Sequence, residues 1–220
     1  MDEKTESDES GGGPHEGQPI EMAGAPPQAA ESAVVLLHGR GSSANYMLTL
    51  IDEFLHHGVM YLAPQAAHSS WYPRSGYGPL EANEPWLSSG LDQVSEALKI
   101  AADAGIPSER TLLFGFSQGG CLGSEFVAQH PQPYGGLIVL SGSLLGAGTQ
   151  RKFEGSIEGT PVFLGCSEND PYVPVERVTY SAEMFERIGG EVEYTLYEEG
   201  GHAINDDEIH HINTFIERLC

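Results

Sequence analysis

From residue 32 onward, the apolar positions follow two alternating rhythms. Short unbroken apolar runs recur: AVVLL at 33–37, VMYLA at 59–63, TLLFGF at 111–116, GLIVLS at 136–141 and PVFLGC at 161–166. Runs this short, closed by Gly, Pro or polar residues, predict strands buried on both faces. EVEYTLY at 191–197 predicts one more. Between them the spacing changes to three and four. Leu48, Ile51 and Leu55 share a face over 45–57, and Leu91, Val94, Leu98 and Ala101 share one over 87–104. Gly105 and Pro107 stop that second helix, and further helices are predicted over 118–129, 175–188 and 206–219. Repeated strand–helix alternation predicts an α/β fold: one domain, a mostly parallel central sheet, helices on both faces. In such sheets ligands sit at the carboxyl ends of the strands, so reactive residues should follow strands.

Two stretches stand outside this pattern. Residues 1–31 are rich in Gly, Pro, Ser, Ala and acids, with GGGP at 11–14 and APP at 25–27. They are expected to be an acidic disordered tail preceding a catalytic domain at 32–220, with a short edge strand near 18–22 as the alternative for part of them. Residues 65–85 form a long loop with three prolines and the rings of Trp71, Tyr72 and Tyr77, a length that points to function. The linker after Ser141 is short and rich in glycine, so no large lid is expected.

Composition narrows the class of protein. The 220 residues, 40% hydrophobic, suit one core, and no apolar run reaches the roughly 20 residues of a membrane helix. Residues 1–10 carry neither the basic nor the apolar region of a secretory signal, so a cytoplasmic enzyme is expected. The charge is −22, from 32 Asp+Glu and 10 Lys+Arg, and the lysines are Lys4, Lys99 and Lys152. Such a field repels nucleic acid and anionic lipid, which are therefore not expected partners. Eight acids and one lysine lie in residues 1–32, a net −7, leaving −15 on the rest. Acidity spread this way, with so little lysine, predicts a halophilic protein. Cys121, Cys166 and Cys220 match no zinc spacing and no disulfide framework, so no metal is expected.

The chemistry is concentrated in a few glycine-flanked positions. Gly115-Phe116-Ser117-Gln118-Gly119 is a G-x-S-x-G turn between a predicted strand and a predicted helix. That turn lifts a serine hydroxyl clear of the sheet, and glycines on either side avoid a collision. A serine needs a base, and Gly200-Gly201-His202, after the last strand, is placed to supply it. The base needs an acid behind it; of Glu168 and Asp170, Asp170 is favoured because it opens the turn before Pro171. Oxyanion donors are expected from the backbone N–H groups of Gln118 and of Arg40, in His38-Gly39-Arg40-Gly41. His38 is expected to brace that loop, and His15 to lie in the tail. His130 is expected to cap a helix, and the pairs His56–His57 and His210–His211 to lie on the surface. Trp71 and Tyr72 are expected to line an acyl site, with anchoring of their loop as the alternative, and His68 is a lesser candidate for substrate contact.

Together, LLHGRGSS (36–43), GFSQGG (115–120), GTPVFLGCSENDPYVPVERV (159–178) and GGHAIND (200–206) resemble the alpha/beta-hydrolase superfamily. Within it the resemblance is to the phospholipase/carboxylesterase family that includes acyl-protein thioesterases, and it runs from about residue 33 to the C-terminus. It implies Ser117 as nucleophile, Asp170 as acid, His202 as base, Arg40 and Gln118 as oxyanion donors, and no cofactor. The implied substrate is a small-molecule ester or thioester, cleaved through an acyl-enzyme. Many family members carry an apolar residue where this chain has Arg40. Rival readings are a dienelactone-hydrolase-like lactonase, which commonly uses cysteine where this chain has Ser117, an acyl thioesterase, a lysophospholipase, and a non-catalytic hydrolase-fold binding protein.

Overall fold

The computed structural model describes residues 12–148 and 151–220. Seven strands form one sheet: β1 (Ile20–Gly24), β2 (Ser32–Leu37), β3 (Val59–Pro64), β4 (Thr111–Phe116), β5 (Gly136–Leu140), β6 (Pro161–Ser167) and β7 (Glu191–Tyr197). Their spatial order is β1-β3-β2-β4-β5-β6-β7. Only the β1–β3 pair is antiparallel. Among the described residues five α-helices accompany them: α1 (Ala44–Thr49), α2 (Trp86–Asp103), α3 (Gln118–Gln129), α4 (Val175–Arg187) and α5 (Asp206–Glu217). The architecture is the α/β, mostly parallel, two-faced sheet that the alternation predicts.

The period of two along each strand divides the core in half. Ala33, Val35 and Leu37 of β2 face one side, with Leu113, Leu137 and Leu164, under α2, α3 and α4. Val34 and Leu36 face the other, with Phe114, Ile138 and Phe163, under α1 and α5. Each of these side chains is fully buried, and a Val, Leu, Ile or Phe so placed contributes roughly 1.5–3 kcal/mol. A one-residue slip of β2 would turn both sets the wrong way, which pins the register.

Two expectations need correction. The helix predicted over 45–57 is α1 followed by a 3-10 turn at Leu50–Glu53, and its inward residues are Ala44, Met47, Ile51 and Phe54. Leu55 is 61% exposed, because the helix has already ended at Phe54, whose backbone (φ −145°, ψ 38°) is not helical, so Leu55 never joins the face of Leu48 and Ile51. The second correction concerns the expected tail. Residues 1–11 lie outside the described residues, but 12–31 are packed on the domain. β1 extends the sheet along β3, with Met22 opposite Leu62. His15 is fully buried, and Gly13 lies so close to Ser89 that a Cβ would sit 2.4 Å from its Oγ. This segment is held by a strand ladder and one polar side chain, neither of which leaves a hydrophobic period in the sequence.

Candidate active site

β4 ends in the middle of the sheet and α3 starts immediately, so Ser117 stands on the turn between them. Its backbone is at φ 55°, ψ −121°, a conformation that costs about 1–3 kcal/mol for a residue with a side chain. Neighbouring contacts hold it there. The Ser117 N–H donates to the Leu140 carbonyl at 2.8 Å. A Cβ on Gly115 would lie 2.4 Å from the Gly119 carbonyl oxygen, so glycine is required there by close packing.

The Ser117 hydroxyl lies 2.8 Å from His202 Nε2, and His202 Nδ1 lies 2.8 Å from Asp170 Oδ2. With Nδ1–H donating to the carboxylate, Nε2 is left as the acceptor for the serine proton. His202 follows two glycines at positive φ, 136° and 63°, and the Gly201 N–H donates to Asn169 Oδ1 at 3.2 Å. Phe116 and Tyr172 flank the imidazole, with ring centroids 5.0 and 4.8 Å away. The Asp170 side chain is completely removed from solvent. Burial alone would raise its pKa. The hydrogen bond from His202 and the Tyr172 N–H outweigh burial and hold the carboxyl below its ordinary value. Glu168 points into solvent and takes no part.

The two expected oxyanion donors sit beside the serine. Gln118 is the first residue of α3, so its N–H has no intrahelical acceptor. Among the described residues the Arg40 N–H has none either. Gly39 brings this loop up to the serine, where a Cβ would be 3.3 Å from the Ser117 Cβ. His38 braces the loop as expected: Nδ1–H donates to the Gly39 carbonyl at 2.8 Å, and Nε2 accepts the Ala66 N–H at 3.0 Å.

The aromatic expectation divides between its two residues. Trp71 has no solvent exposure, and its indole N–H donates to the His38 carbonyl at 2.8 Å, so it anchors the loop and does not line a substrate site. Its ring packs in the apolar core, and this hydrogen bond satisfies both the buried N–H and the buried carbonyl. Tyr72 borders a cavity of about 500 Å³ that opens on Ser117. A second cavity, about 760 Å³, opens on the other side of Ser117 and His202, against α1 and the start of α5. His68 is exposed and lines neither cavity.

Several contributors carry no sequence signal. The Gln118 side chain accepts the Trp71 N–H at 2.8 Å and donates to the Tyr72 carbonyl at 2.7 Å. The Arg40 guanidinium donates to the carbonyls of Tyr72, Pro73 and Arg74 at 2.8, 3.3 and 3.2 Å. His15, expected in the tail, grips the same loop: Nδ1 accepts the Ala67 N–H and Nε2–H donates to the Trp71 carbonyl, both at 3.0 Å. Ser141, at φ 45°, lines the smaller cavity, and its hydroxyl favours the charged form of Asp170. Cys166, next to Asp170, is a buried thiol whose pKa is pushed up to about 12 by burial and by that carboxylate, so it stays protonated. Among the described residues no group of three or more His, Cys, Asp or Glu could hold a metal, and no helix is long and apolar enough to cross a membrane.

A strand–serine–helix turn at the carboxyl edge of a largely parallel sheet, with a carboxylate and a histidine after later strands, is the arrangement of an alpha/beta hydrolase. The phospholipase/carboxylesterase family is matched over residues 19–220, and the chain belongs to that family. It is 32% identical over 216 residues to acyl-protein thioesterase 1 of Neurospora crassa, covering 86% of this chain and 87% of that one. Acyl-protein thioesterase 1 of Saccharomyces cerevisiae is 24% identical over 214 residues, 87% and 94% of the two chains. A crystal structure of a phospholipase/carboxylesterase from Dyadobacter fermentans superposes with a TM-score of 0.86 at 37% identity, covering 91% of this chain and 96% of that one.

Proposed function

We propose that the chain is a serine hydrolase that cleaves carboxylic esters or thioesters through an acyl-enzyme. The observation that carries this is the pair of 2.8 Å contacts linking Ser117, His202 and Asp170 in one line. In the first half-reaction, Ser117 Oγ attacks the acyl carbon as its proton passes to His202 Nε2. The carbonyl oxygen becomes an oxyanion and is received by the N–H groups of Arg40 and Gln118. Collapse breaks the bond to the leaving alcohol or thiol, which departs with the proton from His202. Water then repeats the sequence on the Ser117 ester and releases the acid. Asp170 stays ionised throughout and holds the imidazole in the tautomer that leaves Nε2 free. No step calls on a cofactor.

Thioesters belong in the substrate class because the relatives at 32% and 24% identity are named acyl-protein thioesterases. The serine at position 117 argues against the lactonase reading. A fluorophosphonate probe should label the wild-type protein and leave Ser117→Ala unlabelled. That variant should lose on the order of 10³-fold or more in kcat with an unchanged circular dichroism spectrum. Near-normal turnover by purified Ser117→Ala would overturn the reading.

A further inference from the structure

The two cavities beside Ser117 differ in charge: both are lined by Arg40, but the smaller adds Arg74 and the larger adds Glu53 and Asp206. Acids outnumber Lys+Arg in this chain by 32 to 10, yet among the described residues no carboxylate lines the smaller cavity, whereas Arg40 and Arg74 both do. Beneath it lies Arg177, 6% exposed, with its guanidinium carbon 5.1 Å from the centroid of the cavity-lining ring of Tyr77. Arg177 donates to the carbonyls of Leu144 and Gly148, and its Nε has no partner. Among the described residues none of these three arginines is ion-paired, whereas Lys99, Arg110, Arg151 and Arg187 each have an acid within 4.0 Å. The larger cavity shares Arg40 but offsets it with Glu53 and Asp206, and has apolar walls from Met47, Leu50, Phe116 and Ile209.

The three cations are not equivalent. Arg40 and Arg177 each direct their terminal N–H groups at backbone carbonyls, so they supply field, and Arg40 also holds the loop. The Arg74 guanidinium has no acceptor among the described residues, while its backbone is fixed. Its N–H donates to Asn83 Oδ1 at 2.8 Å, and the fully buried Asn83 donates back to the Ser75 carbonyl at 3.1 Å. Its carbonyl accepts from Arg40. A free planar guanidinium on a fixed backbone, at the rim of a cavity without carboxylates, suits two-point recognition of a carboxylate.

We propose that the smaller cavity selects substrates carrying a carboxylate at one end, with Arg74 as the residue that binds it. The uncharged remainder lies across Ser117 in the larger cavity. This rests on the serine-hydrolase reading above and specifies its substrate class as anionic, asymmetric esters or thioesters. The carboxylate belongs to the acyl group or to the leaving group, and the two are separable by experiment.

The test uses two ester series at one fixed ionic strength. One comprises half-esters of linear dicarboxylic acids with a neutral alcohol; the other comprises neutral acyl esters of hydroxy acids. Each anionic ester is paired with its own methyl-capped neutral analogue. In one series the wild-type protein should favour the anionic member by about tenfold or more in kcat/KM, and that series identifies the side on which the carboxylate lies. Arg74→Gln should collapse this ratio toward one, and Arg74→Lys should restore part of it. Equal or better use of the neutral esters by the wild type in both series would overturn the proposal, as would a ratio unmoved by Arg74→Gln. Fluorophosphonate labelling separates the two levels. Labelling and neutral-ester turnover without charge selectivity would remove this proposal alone; no labelling and no turnover would remove the serine-hydrolase reading and this proposal with it.

Discussion

Gly119 packs directly on the end of β2: a Cβ there would lie 2.1 Å from the Leu37 carbonyl oxygen. The same hypothetical atom would be 2.7 Å from the His38 carbonyl, so the obstacle is main chain on both sides and no rotamer change can relieve it. The first turn of α3 and the loop carrying Arg40 are thereby fixed relative to one another. Gly119→Ala must separate them and so misplaces the serine against both N–H donors. The expected result is a loss of about 10²-fold or more in kcat/KM, with destabilisation of roughly 1–3 kcal/mol. Steady-state kinetics and a denaturant melt on one preparation would check both.

Asp170 and Glu168 provide an internal comparison two residues apart. Asp170→Asn keeps the shape but reverses the donor pattern opposite His202 Nδ1, which favours the wrong tautomer. A fall in kcat on the order of 10⁴-fold is expected. Glu168→Gln changes an exposed group and should stay within about twofold of wild type. The reverse ranking would move the acid to Glu168.

His15 and His38 are both pushed below the ordinary histidine value of 6.5, chiefly by burial, and each accepts a backbone N–H that an imidazolium could not accept. Below about pH 6.5 the unfolded chain therefore binds protons that the folded chain refuses, and stability falls as pH falls. Glu208 works in the opposite direction. Burial raises its pKa from 4.5 to about 7, so it costs stability as pH rises through that window. His15→Ala should lower stability near pH 8 by about 1–3 kcal/mol, since it leaves the Ala67 N–H and the Trp71 carbonyl without their partner. It should also reduce the acid-side slope. Denaturant melts from pH 5 to pH 8 on wild type and variant would show both effects; a parallel displacement of the curves would assign no titration to His15.

Salt dependence follows from the −22 charge. At molar salt the screening length falls to about 3 Å, so exposed carboxylates cease to repel one another. Melting temperature and esterase rate on a neutral substrate are both expected to rise from dilute buffer to about 2 M KCl. Removing residues 1–11 deletes five acids and one lysine, a net −4, and leaves −18, so most of the response should survive. Graded thermal melts of the two proteins decide it, and a flat curve for the full chain would rule out the halophilic reading.

The positions of Ser117, Asp170 and His202 were legible because each lies in a short local pattern: two glycines around a serine, a turn before Pro171, two glycines before a histidine. The sheet was legible for a similar reason, since strands buried on both faces leave continuous apolar runs. What stayed hidden depends on contacts distant in sequence. His15 meets residues 52 and 56 positions away, and nothing around it marks it as buried. The aromatic ring of Trp71 suggested substrate contact, while it sits in the apolar core with its N–H on a carbonyl 33 residues earlier. The side-chain roles of Arg40 and Gln118 were hidden for the same reason, since the loop groups they bind lie 32–34 and 46–47 residues away.

The burial of Trp71 also gives the protein an optical reporter. The chain has two tryptophans, and Trp71 is the fully enclosed one, with its ring centroid 5.0 Å from that of His38 and 5.5 Å from that of His15. Its emission should lie at short wavelength while the loop is docked and shift to the red when the loop lifts. Charging either imidazole should quench it. In a Trp86→Phe background the remaining signal comes from Trp71 alone, so any spectral shift on adding substrate would report a change in the loop it anchors, separately from the chemistry at Ser117.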